Sequence, residues 1–74
     1  MRDLPAISGV AAVKALERAG FYKKRQKGSH IVIRRDFPFC QLVVPNHKIL
    51  DRGTLRAIIR QAGMNVSDFC ELLK

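Results

Sequence analysis

The 74-residue chain has little negative charge: Asp and Glu number 6 against 14 Lys and Arg, a formal charge of +8. The carboxylates are spread singly, so a metal-dependent nuclease built on clustered Asp and Glu finds no ligands. Only two cysteines are present, Cys40 and Cys70, with no Cys-x-x-Cys spacing, which argues against both a disulfide framework and a zinc site. Both read as free, mostly buried thiols, and neither a metal nor another cofactor is expected. Pro (3) and Gly (5) are too few, in a chain that is 47% hydrophobic, for a disordered or fibrous protein. The scattered glycines also form no nucleotide-cradling loop. Apolar runs such as Leu42-Val43-Val44 fall far short of the roughly 20 residues a membrane-spanning helix requires. Met1-Arg2-Asp3-Leu4-Pro5 does not lead into the apolar stretch of about 7–15 residues found in a secretion leader, so a cytoplasmic protein without a membrane partner is expected. Aromatic residues are scarce as well. Only Tyr22 lies within the basic segment, so a platform of interleaved stacking residues is missing, and recognition by backbone and shape is expected instead of base stacking.

What is present reads as one small α+β domain over residues 1–74. Ser8 suits the cap of a helix running through Ala19, with Ala12, Val13, Leu16 and Ala19 on one side and Gly20 ending it. Phe21 to Lys27 reads as a strand with a weak apolar face, and Gly28-Ser29 as a tight turn. Ile31-Val32-Ile33 and Cys40-Gln41-Leu42-Val43-Val44 follow as two more strands, broken apart at Arg35-Asp36-Phe37-Pro38. Thr54 is a plausible cap for a second helix with Leu55, Ile58, Ile59 and Ala62 as its core stripe and Gly63 as its stop. A short helix from Ser67 carries Phe69, Leu72 and Leu73. The expected order is α-β-β-β-α with a short extra C-terminal helix, a three-stranded antiparallel sheet covered by helices on one face.

The cations cluster. Lys23, Lys24, Arg25 and Lys27 fall within the first strand, Arg34 and Arg35 end the strand beside it, and Arg52, Arg56 and Arg60 recur every four residues along the second long helix. Both groups suit phosphate, so RNA or DNA is the favoured partner; an acidic protein or a merely solubilising surface would use the same charges. Without metal, catalysis falls to His, Lys, Arg, Ser or Cys, and His30 stands directly after the glycine turn among basic residues. RNA is cut without metal when a base takes the ribose 2′-hydroxyl proton, the oxygen attacks the adjacent phosphate, and cations stabilise the added charge. Imidazole suits that role, its unperturbed pKa lying at about 6.5. The plain alternative is a histidine that hydrogen-bonds at a strand start. His47, beside Lys48 on the loop after the third strand, reads as a second proton carrier, a phosphate contact or an ordinary turn residue. Ser29 belongs to the turn or to a phosphate hydrogen bond.

Three segments carry a family resemblance, two of them specific. Arg25-Gln26-Lys27-Gly28-Ser29-His30 and Gly53-Thr54-Leu55-Arg56, the latter running on to Arg60-Gln61-Ala62-Gly63, together with Val43-Val44-Pro45-Asn46-His47-Lys48, resemble the HicA (YcfA-like) mRNA interferases of type II toxin–antitoxin systems. The resemblance implies a fold similar to the double-stranded-RNA-binding domain, metal-independent cleavage of mRNA with no cofactor, and neutralisation by a HicB-type antitoxin. The family's catalytic histidine maps onto His30. The RNA contacts expected around it are Arg25, Lys27, Gly28, Ser29, His47, Lys48, Arg52 and Arg56. Two departures stand out. Lys23 and Lys24 replace a commonly apolar pair, and Phe37-Pro38-Phe39 makes an unusually apolar hairpin tip, an antitoxin contact or a local cluster over the sheet edge. Two rival readings use the same residues, a non-catalytic RNA-binding module and a basic protein that grips an acidic partner.

Overall fold

A computed structural model describes residues 4–74; the expectation that no leader is present turns partly on residues 1–3, which lie outside them. The elements are α1 (Gly9–Glu17), β1 (Tyr22–Lys27), β2 (His30–Arg35), β3 (Cys40–Pro45), α2 (Arg52–Gln61) and α3 (Val66–Leu72). The strands form an antiparallel sheet in the order β1-β2-β3, so the α+β class and the α-β-β-β-α-α order read from the sequence are those of the molecule. No helix among the described residues is long and apolar enough to cross a membrane.

Alternation along the strands selects the covered face. Ile31, Ile33, Leu42 and Val44 point into a core completed by Ala12, Ala15 and Leu16 of α1, Leu55, Ile58 and Ile59 of α2, and Phe69 of α3. Burying a large aliphatic or aromatic side chain stabilises by about 1.5–3 kcal/mol, so this one cluster carries most of the fold's stability. Among the described residues no helix lies over the opposite face of the sheet.

Local chemistry sets the ends of the helices. The Ser8 side chain accepts the Ala11 N–H at 3.0 Å, as expected of the cap. The helix stops two residues sooner than its apolar spacing suggested, because Ala19 N–H turns to Leu16 O (2.9 Å) and Phe21 N–H also reaches Leu16 O (3.2 Å) across Gly20 at φ 96°. Two caps differ from expectation. Asp51, not Thr54, caps α2: its carboxylate accepts the Thr54 N–H at 3.2 Å. Asn65, not Ser67, opens α3 by accepting the Asp68 N–H at 2.7 Å. Against the helix ends, Arg18 donates to the carbonyls of Leu72 and Lys74, fastening α3 to the last turn of α1.

Two burial expectations are also corrected. All six residues of β1 are exposed, so this strand has no apolar face; Phe21, just before it, enters the core instead. Cys70 is buried but Cys40 is only half-buried, its thiol donating to Gln61 O at 3.2 Å.

Candidate functional site

The uncovered sheet face is organised by register. On β2, His30, Val32 and Arg34 share that face, and their cross-strand partners are Lys27, Arg25 and Tyr22 on β1 and Pro45, Val43 and Gln41 on β3. A bulge between Lys23 and Arg25 inserts Lys24 without a partner. Its consequence is specific: with regular pairing Lys24 would face Val32, whereas the extra residue brings Arg25 opposite Val32 and Lys27 opposite His30. Arg25, Lys27, His30, Val32 and Val43 together line a recess of ≈ 530 Å³. Its floor is apolar and its rim is cationic.

Hydrogen bonds gather the neighbouring loop at the same end of the sheet. Asn46 N–H donates to Ser29 O at 2.6 Å, which sets the segment carrying His47 and Lys48 beside the Gly28-Ser29 turn. That turn requires glycine for its backbone, since Gly28 has φ 58° although a Cβ would meet nothing within 4 Å. Gly9 is needed for the opposite reason. Its N–H donates to His47 O at 2.9 Å, and a Cβ there would lie 2.0 Å from Pro45 O. Leu50 N–H donates to Ile7 O at 2.8 Å, so the start of α1 clamps the whole loop from below. Gly28, Ser29, His30, His47 and Lys48 are all exposed at this end, and a polyanion has access to each.

The remaining cations divide differently. Arg52 and Arg56 sit on α2, which packs on the covered side of the sheet through Leu55, Ile58 and Ile59. Arg56 and Arg60 flank a separate recess of ≈ 240 Å³ with Ile59, Met64, Asn65 and Val66. The structure therefore joins Arg25, Lys27 and His30 in one recess, sets the loop of His47 and Lys48 at the same end of the sheet, and keeps Arg56 out of the recess. Arg34 and Arg35, grouped with the phosphate patch in the sequence, brace the far hairpin. Arg34 Nε donates to Gln41 Oε1 at 3.2 Å with its guanidinium 5.4 Å from the Phe39 ring centroid, and Arg35 Nε donates to Pro38 O at 3.0 Å with its guanidinium 4.8 Å from that of Phe21.

Sequence reasoning missed Val32 and Val43 as the floor of the recess, although the two-residue alternation of His30, Val32 and Arg34 carries that signal. For the bulge that re-aims Arg25 there is no sequence signal in the run of five polar residues from Lys23 to Lys27. Among the described residues, no three His, Cys, Asp or Glu side chains are grouped to hold a metal ion.

A family model described as the HicA toxin of bacterial toxin-antitoxin systems matches residues 11–64, from the first turn of α1 through all three strands to the end of α2. No curated protein and no solved structure matches the chain.

Proposed function

The chain belongs to the HicA toxin family of bacterial toxin–antitoxin systems, and from that membership we propose that it is an endoribonuclease that cleaves mRNA without metal, using His30 as its general acid and base. One observation carries the reading: an exposed imidazole stands at the head of β2, in a recess whose other polar walls are Arg25 and Lys27. The His30 imidazole accepts the proton of a ribose 2′-hydroxyl. O2′ then attacks the adjacent phosphorus while Arg25 and Lys27 carry the charge added to the phosphoryl oxygens. As the P–O5′ bond breaks, O5′ takes a proton, and the products are a 2′,3′-cyclic phosphate and a free 5′-hydroxyl. The protonated His30 returns that proton, and His47, on the loop tied to the Ser29 backbone, contacts the phosphate. Ser29 and the Gly28 backbone contact the phosphate from the turn, and Lys48 holds the strand as it leaves the recess. Arg52 and Arg56 contact phosphates farther along the RNA, on the other side of the domain.

Family membership implies an antitoxin partner. The antitoxin of this chain is a HicB-type protein, and it neutralises the toxin by covering the His30 recess. Message is the substrate, so the toxin acts in the cytoplasm.

Purified protein in excess chelator, incubated with a single-stranded RNA, tests this reading. Fragments ending in 2′,3′-cyclic phosphate are expected, and a 2′-deoxy nucleotide at the scissile position blocks the cut. RNA left intact by folded protein would overturn the enzymatic reading and leave a non-catalytic binding module.

A further inference from the structure

The far end of the open sheet face carries a feature that the cleavage chemistry does not use. The turn joining β2 to β3 presents Phe37 at 91% exposure and Phe39 at 67%, too open to be a cluster covering the sheet edge. Arg34 lays its guanidinium over the Phe39 ring, and Tyr22 donates its hydroxyl to the Asp36 carboxylate at 2.9 Å. Three flat groups, Phe37, Phe39 and the Arg34 guanidinium, thus stand at the end of the strip that starts at His30. Between them lie Val32 and Val43, and no Asp or Glu occurs in β1, β2 or β3.

We propose that this hairpin tip stacks an unpaired base of the bound RNA, so that the strand lies across the open face with a phosphate at His30 and a base on Phe37. The inference rests on the ribonuclease reading above. From His30 to Arg34 is four residues of strand, roughly 13 Å, a distance that a single strand spans in a few nucleotides. Unstacked bases are held on aromatic rings and guanidinium planes in this manner. An apolar protein surface is the poorer occupant, because seating it on this tip would take Arg34 and Asp36 out of water beside it. A stacked base leaves those groups at its wet rim and brings phosphates to strands that contain cations and no carboxylate, Asp36 lying beyond them in the turn.

The test uses the His30→Ala protein, which leaves RNA uncut, and a fluorescein-labelled 12-nucleotide single-stranded RNA at low salt. Adding Phe37→Ala or Phe37→Leu weakens binding about 5- to 150-fold, the range for one stacked base, while Phe37→Tyr retains it. Leu is included because it keeps apolar bulk and lacks a π-face. Equal affinity of all three variants overturns the inference, leaves the ribonuclease reading standing and assigns the tip to a protein partner. No RNA binding by the His30→Ala parent overturns both.

Discussion

On β2 the side chains alternate between two environments of opposite character. Ile31 and Ile33, at 4% and 0% exposure, meet the helices, while His30 and Arg34 stand on the face with no helix over it. The neighbouring strand repeats the division, with Leu42 and Val44 inside and Gln41 and Val43 outside. A domain this small buries only about 60% of the surface of its unfolded chain, so it has one covered face to hold it together and one to spare. Stability and chemistry are thereby separated by one residue of register, and substitutions on the two faces have effects of different kinds.

The largest effect on stability is expected on the covered face. Ile33→Ala removes a fully buried side chain from the centre of the sheet and costs about 2–5 kcal/mol, read as a lower denaturant midpoint with cleavage falling only as the folded fraction falls. If Ile33→Ala left the midpoint unchanged, the core would not lie where the alternation puts it. Gly9→Ala crosses the division. Its new methyl meets the Pro45 carbonyl, and overpacking of this kind costs about 1–3 kcal/mol. Because the same contact seats the His47 loop, cleavage per folded molecule falls as well; a purely thermal effect would separate the loop from the site. Lys27→Ala has the smallest effect on the fold, with no change in midpoint expected for an exposed strand residue. It flattens the log–log salt dependence of single-stranded RNA binding by about 0.7, and an unchanged slope would remove Lys27 from the phosphate contacts.

Much of this division was legible in the sequence, because both of its causes are local. Ser8 caps by its own hydroxyl, Gly20 and Gly63 stop helices by their positive φ, and the apolar residues of β2 and β3 alternate in view. The α2 cap was misplaced by three residues because Asp51 and Thr54 are both good capping residues and Gly53 between them is a poor helix former. Choosing between them takes the backbone geometry at Asp51. At α3, Val66 reads as loop or strand, and the Asn65 cap is visible only once the helix is built on Phe69.

The open face was less legible because its content depends on pairing. The His30 end was found from the glycine turn and the run of cations around it. Nothing in Tyr22–Lys27 shows that Lys24 is extruded and Arg25 brought opposite Val32, since every residue there except Tyr22 is polar. Arg34 and Arg35 looked like free phosphate ligands, yet both are engaged by groups from the hairpin beyond them. Phe39 reads from the sequence as part of an apolar hairpin tip, and its contact with Arg34 exists only across the turn.

The most direct measurement compares RNA cleavage and thermal midpoint for His30→Ala and the unaltered protein. The ring is exposed and outside the core, so the midpoint should stay where it is while the cleavage rate drops by about 10²- to 10⁴-fold, the typical contribution of a positioned acid–base group. Cleavage at the original rate by an equally stable His30→Ala protein would contradict the account.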